Sequence, residues 1–371
     1  MAKQVTNKAK KKRAVGIKRA AGPKARRKKA VDRMTSASKR TSTSAPQRSG
    51  RRGKTHVAGK AKQQAKAKAN TTTKAARPKL STIFDYVRLA ADRLSKAGVV
   101  FAHGTTDPVA EAAFLVGETL RLHPDDVEPA ARQRVSKADG AKILALVDQR
   151  IVTRKPAAYL LNRIYMRGLP FHVDERTIVP RSFIGEILDA HFGDDSLFSL
   201  RDPARVMRVL DLCTGSGCLA VLAAHAFPNA TVDAVDLSAD ALAVAKRNVD
   251  DHALSDRITL YQGDLFAPLA GKRYDLIISN PPYVDAEGMA SLPPECRFEP
   301  EMAFAGGDDG IDLVRIILAG AKAHLAADGG LLCEIGRCRP ALEAAYPATP
   351  FLWLDTEESE GEVFWLEARA L

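Results

Sequence analysis

Two short stretches of this 371-residue chain combine residue types and spacings suited to chemistry. The first is Asn280-Pro281-Pro282-Tyr283, at the end of the apolar run YDLIISN. Two consecutive prolines remove two backbone donors and push each preceding residue toward an extended conformation. Asn280 Oδ1 and the Pro281 carbonyl are thereby kept out of ladder and helix bonding and remain as acceptors. A planar amide or aromatic amine is a poor nucleophile because its nitrogen lone pair is delocalised. Two acceptors that take its N–H bonds, while the lone pair faces an electrophilic carbon, would make that nitrogen reactive. Tyr283 offers a ring to flank the plane. The plain alternative is a rigid loop after an edge strand, since Pro-Pro is an ordinary turn signal.

The second stretch is DLCTGSG, Asp211 to Gly217, which ends a strand-like run and opens a helix-like one. Glycines at such a turn allow positive φ and a close approach of backbone to ligand. Cys213, Thr214, Gly215, Ser216 and Gly217 would cradle the ligand, and Asp236 lies 19 residues past Gly217, where a ribose-binding acid belongs. Asp211, Asp236 and Asp264 fall at the ends of successive strand-like runs, so three acceptors are expected along one rim of a sheet, with Leu237 and Leu265 beside two of them. Asp236 suits ribose hydroxyls, Asp264 an adenine amino group, and the glycine loop the amino acid portion of a ligand. By itself the loop does not separate NAD from S-adenosylmethionine. Hydride transfer has no use for paired acceptors around an amine, so the Asn-Pro-Pro-Tyr turn favours methyl transfer from S-adenosyl-L-methionine.

The surrounding pattern supplies the elements that must hold these groups. STIFDYVRLAADRLSKAG predicts a helix, with Thr82 and Asp85 as a capping box and one apolar stripe through Ile83, Val87, Ala90, Ala91 and Leu94. A second helix follows Asp107-Pro108, and SKADGAKILALVDQRIVTRK gives another apolar face. Around YMRGLPFHVDERTIVPRS the period changes to two, with Gly168-Leu169-Pro170 as the expected turn of a hairpin. Beyond it RVMRVLDL, ATVDAVDL, RITLYQGD, YDLIISN and GGLLCEIG alternate with helix-like segments. That alternation predicts an α/β fold with a parallel sheet covered on both faces. The expected organisation is a disordered basic tail over 1–79, a helical domain over 80–163, a hairpin linker over 164–180 and a catalytic domain over 181–371.

DLCTGSG and NPPY at this spacing resemble class I methyltransferases that modify the nitrogen of a planar group. Two branches share the tetrapeptide, adenine-amino and protein glutamine N(5)-methyltransferases. FHVDERTIVPRS before the core and LPPECRFEPEMAFAGGDDGIDLVRIIL after the turn resemble the glutamine branch, most closely its members acting on large-subunit ribosomal protein L-3. Pro180-Arg181-Ser182-Phe183 leads to Ile184-Gly185 before Glu186, which departs from the release-factor relatives. Leu265 stands where those relatives carry an aromatic. The resemblance spans residues 80–371. It implies a Rossmann-like class I fold with a mostly parallel seven-stranded sheet, a target glutamine held by Asn280, Pro281, Pro282, Tyr283 and Arg181, and an N-terminal helical domain that helps recognise the protein substrate. It also implies ribosomal protein L-3 or the assembling large subunit as partner. A DNA or RNA adenine N(6)-methyltransferase is the competing enzyme. A ribosome-associated RNA-binding protein without activity is the competitor from another class.

Charge separates the tail from the rest. Residues 1–80 contain 27 Lys and Arg against Asp32 alone, and the remainder has 29 bases against 43 acids, a net of −14. The tail holds almost no large apolar residues and cannot offset its ordering entropy by burial. Such a tail is drawn to polyanions, so RNA or ribosome contact is expected of it, with an inert solubilising extension and an organelle transit segment as the alternatives. The acidic remainder argues against a flipped-base enzyme, which needs a basic groove. Gly306-Gly307 and Asp308-Asp309-Gly310 suggest a flexible acidic loop able to frame a basic protein, or simply an acid-rich helix start. No metal site is expected: the five cysteines form no C-x-x-C pair, and free thiols fit a reducing compartment. No signal peptide or membrane span is read, and a cytoplasmic location follows.

Overall fold

The computed structural model describes residues 80–191, 202–357 and 359–371, so the tail expected over 1–79 lies outside the described residues. The described residues belong to one compact unit. Its first part is helical. Helix Ile83–Lys96 begins at the predicted capping box, and its predicted stripe is buried. Helix Pro108–Leu120 starts from Asp107, whose carboxylate accepts from the Val109 and Ala110 amides. Helix Lys137–Thr153 is capped by Ser136. These helices are joined by an ion pair inside the core: Arg150 Nε donates to Glu111 Oε1 at 2.8 Å, with both side chains almost fully buried. Burial raises the Glu111 pKa, against the pull of Arg150.

The hairpin comprises β1 (Ile164–Met166) and β2 (Leu169–Phe171). Its turn is Arg167-Gly168, with φ of 49° and 79°, and not Gly168-Leu169-Pro170 as the sequence suggested. Two positive φ values match the right-handed twist of the flanking strands. Pro170 instead lies in β2 opposite Tyr165, which a two-stranded ribbon tolerates because each strand is an edge.

The main sheet has seven strands: β3 (Arg208–Leu212), β4 (Thr231–Asp236), β5 (Ile258–Gln262), β6 (Tyr274–Ser279), β7 (Leu325–Glu334), β8 (Leu352–Leu354) and β9 (Val363–Glu367). Their order is β5-β4-β3-β6-β7-β9-β8. β9 runs antiparallel to both its neighbours, and the other pairings are parallel. Both faces are covered, which explains the unbroken apolar run of β6. Leu276 and Ile278 pack in the same core as the helix Cys218–Ala226, while Ile277 packs with the helix Asp312–His324. Strand order reverses between β3 and β6, and the crevice beyond their carboxyl ends is where such sheets bind ligands. Both sequence stretches that opened the argument end there.

All five cysteines are free. Among the described residues no helix is long and apolar enough to cross a membrane.

Candidate active site

Immediately after β3 the chain coils through Cys213, Gly215 and Gly217, with φ of 58°, 55° and 78°. The Thr214 amide donates to the Val235 carbonyl at 3.0 Å, tying the coil to the next strand. The two glycines serve different needs. A Cβ on Gly217 would lie 3.1 Å from Ala245 Cβ and 3.2 Å from Ala245 Cα, so this glycine permits close packing of the helix Ala239–Asp251. A Cβ on Gly215 would meet no protein atom within 4 Å, so this one leaves space for a ligand.

Of the three rim acids, two are on the rim. Asp236 ends β4, where Oδ2 accepts from the Gly215 amide at 2.8 Å and Oδ1 from the Ser238 amide at 2.9 Å. Burial raises its pKa although both amides oppose the shift. Asp264 is exposed beyond β5, followed by Leu265, which is buried with φ of 45°. Asp211 is not on the rim. It is wholly buried beneath the coil, where Oδ2 accepts from Thr214 Oγ1 at 2.5 Å and Oδ1 has no partner. Burial pushes its pKa up to about 7. The reason is the strand's period of two: Asp211 is one residue short of the end, so it shares the face of Val209, which is packed in a core.

The remaining predicted residues border two adjoining chambers. One, of about 350 Å³, is lined by Asp236, Leu237, Asp264, Leu265 and Pro282, with Met302 added. The other, of about 310 Å³, is lined by Arg181, Thr214, Ser216, Pro281 and Tyr283. Cys213, Gly215 and Asn280 border both. Gly217 borders neither, consistent with its packing role.

The Asn-Pro-Pro-Tyr turn therefore sits at the junction. Asn280 Nδ2 donates to the Arg181 carbonyl at 3.4 Å, leaving Oδ1 as the acceptor for a ligand. Tyr283 Oη donates to Glu334 Oε1 at 3.0 Å, and Cys338 Sγ donates to the Tyr283 carbonyl at 3.1 Å. The acidic loop expected to be flexible is bonded to the turn: the Val284 amide donates to Phe304 and the Gly306 amide to Val284. Asp309 and Asp312 are paired with Arg315 at the start of the helix Asp312–His324, as the plainer reading held.

The segment read as a linker, continued by Arg181, forms a wall of both chambers, through Arg176 and Thr177 on one side, Pro180 and Arg181 on the other, and Ile178 between them. Three side chains missed in the sequence pin it. Asn248 bonds the His172 backbone through both its amide atoms and also reaches the Ser216 carbonyl at 2.8 Å. Glu299 accepts from the Val179 amide and from both terminal nitrogens of Arg181. Glu334 accepts from Ser182 Oγ and the Phe183 amide. Arg181 also donates to the Ala102 carbonyl, so its guanidinium joins the helical part to the chamber wall. His103, Cys296 and Glu299 converge with potential ligand atoms within 4.8 Å of one another, a grouping hidden in the sequence by their separation. Both Glu299 oxygens are already engaged, by Arg181 and His103. Burial works to raise the Glu299 pKa, but His103 and Arg181 outweigh it and hold the carboxyl low. His103 and Arg181 thus tie Glu299 into a buried hydrogen-bonded network. For Glu334 the clue in the sequence was an acid inside the otherwise apolar run LLCEIG.

The methyltransferase small domain family matches residues 192–292. Over 300 residues the chain is 65% identical to the ribosomal protein uL3 glutamine methyltransferase of Bradyrhizobium diazoefficiens, covering 80% of this chain and 94% of that protein. The chain belongs to the ribosomal protein uL3 glutamine methyltransferase family. Its relative of the same name from Burkholderia pseudomallei is 51% identical over 297 residues, 78% of this chain and 95% of that one. The one from Bordetella pertussis is 49% identical over 295 residues, 80% and 98% of the two chains. Like other uL3 glutamine methyltransferases, the chain is an enzyme that uses S-adenosylmethionine. The site fits that donor. Gly215 leaves room beside the loop, Asp236 is held rigidly at the chamber edge, and Leu265 supplies an apolar wall.

Proposed function

We propose that this enzyme transfers a methyl group from S-adenosylmethionine to the side-chain amide nitrogen of a glutamine in ribosomal protein uL3. The observation that carries this reading is the position of Asn280 and Pro281 where the two chambers meet. S-adenosylmethionine supplies an electrophilic methyl on a positively charged sulfur. In the larger chamber Asp236 receives the ribose hydroxyls and Asp264 the adenine amino group, while Leu237 and Leu265 provide apolar contact. The Cys213–Gly217 coil takes the amino acid portion. In the smaller chamber Asn280 Oδ1 and the Pro281 carbonyl accept the N–H bonds of the target amide and Tyr283 flanks it, while Pro282 approaches it from the side of the larger chamber. Arg181, held by Glu299, forms the adjacent wall. These acceptors are fixed before the substrate arrives, so positioning and electrostatics account for most of the acceleration. The helical part over 80–163 presents the substrate protein. The net −14 of the chain beyond residue 80 steers a basic ribosomal protein toward it. The basic tail is assigned to RNA of the assembling large subunit, and deletion of residues 1–79 tests that separately from catalysis.

The direct test is Asn280→Ala assayed on purified uL3 by mass spectrometry, with affinity for S-adenosylhomocysteine measured by calorimetry. Loss of one preorganised contact predicts a fall in kcat of about a hundredfold or more with product affinity retained. Normal turnover by this variant, or a wild-type enzyme that adds no methyl to a uL3 glutamine, overturns the reading.

A further inference from the structure

The end of β7 and the segment after it wrap Tyr283 on three sides. Glu334 meets the phenol hydroxyl at 3.0 Å. Gly336, with φ of 52°, passes so close that a Cβ there would lie 2.5 Å from the ring, and the Cys338 thiol holds the Tyr283 carbonyl. The other oxygen of Glu334 accepts from Ser182 Oγ at 2.7 Å and from the Phe183 amide at 2.9 Å. Those two residues directly follow Arg181, whose carbonyl orients the Asn280 amide. One carboxylate thus touches both supports of the acceptor corner.

We propose that Glu334 is a positioning residue for methyl transfer: it locks the Tyr283 ring and the 181–183 segment together, and so fixes the angle at which Asn280 and Pro281 receive the target amide. The proposal rests on the assignment of the corner made above. Glu334 is wholly buried, so a merely solubilising or surface-charge role is excluded. Its three donors are two hydroxyls and a backbone amide, with no cation to offset the cost of burying its charge, an arrangement of little use for stability. Burial raises its pKa to about 7, with the three donors opposing and Glu362 adding to the rise. Arg181 and Glu362 are the other charges acting on Tyr283. The ionised carboxylate accepts all three hydrogen bonds. The protonated form gives up one acceptor position.

The experiment compares Glu334→Gln, which keeps shape, with wild type and with Asn280→Ala, using uL3 as substrate. Steady-state kinetics, affinity for S-adenosylhomocysteine and the pH profile of kcat are measured on the full chain. Replacing a charge-assisted contact by a neutral one predicts kcat lowered about tenfold, KM and product affinity within about twofold, and a flattened profile around pH 7. A melting temperature for Glu334→Gln close to wild type separates these effects from unfolding. If that variant loses stability instead, Tyr283→Phe, which removes only the shared hydroxyl, must reproduce the tenfold loss. Wild-type kcat in Glu334→Gln, or product affinity falling in step with kcat, overturns the positioning role. An inactive Asn280→Ala beside a fully active Glu334→Gln rejects this inference alone. A fully active Asn280→Ala rejects the corner on which it stands.

Discussion

Gly215 and Gly217 stand two residues apart in the same coil, yet alanine at each has a different consequence. At Gly217 the residue has φ of 78° and the new Cβ would lie 3.1–3.2 Å from Cβ and Cα of Ala245. The left-handed conformation costs about 1–2 kcal/mol for an L-residue. Overpacking against a neighbouring helix adds about 1–3 kcal/mol. Gly217→Ala is therefore expected to lower the unfolding free energy by about 2–5 kcal/mol. Gly215→Ala incurs only the conformational part, because its Cβ meets no protein atom within 4 Å. That methyl instead occupies space bordering both chambers, and weakens S-adenosylhomocysteine binding by about tenfold or more through lost room and contact. Urea denaturation of the ligand-free enzyme and calorimetric titration read the two effects independently. The reasoning fails if Gly215→Ala binds the product as wild type does. It also fails if Gly217→Ala is no less stable than Gly215→Ala.

Two more outcomes follow from buried charge. Arg150→Leu strands the Glu111 carboxyl, which is 1% exposed, and should cost about 3–5 kcal/mol in a denaturant titration, while replacing both partners by leucine recovers much of the loss. Asp211 has its pKa raised by burial from 3.8 to about 7, so the folded chain keeps a proton that the unfolded chain releases. The stability this contributes is complete below pH 3.8 and is lost as pH rises toward 7. The unfolding free energy of wild type relative to Asp211→Asn should fall by a few kcal/mol between pH 4 and 7, and a difference that stays flat with pH contradicts the assignment.

Much of this arrangement was legible where the cause is local. The Thr82–Asp85 capping box, the Asp107-Pro108 helix start and the five parallel strands are each set by residues within a few positions of one another, and each is found as read. The Asn-Pro-Pro-Tyr corner was legible because proline acts on its immediate neighbours. What escaped depends on partners far along the chain. β8 has only three residues and no period to detect, and it exists because β9 lies beside it. Asp211 was placed on the rim because a strand end alone does not tell which way a side chain turns. Glu299 lies among other charged residues and Glu334 in an apolar run, and neither shows its partner until folding brings Arg181 and Ser182 to them across 118 and 152 positions.

Glu295 is wholly buried, and it receives the Val100 amide from 195 positions earlier as well as the Arg154 guanidinium at 2.7 Å. A polypeptide emerging from its N-terminus thus exposes those donors long before their acceptor is synthesised. The leading helices can form and pack on one another early, but their bonds to Glu295 close only after that residue has left the exit tunnel, so this part of the assembly is a late, non-local event during translation.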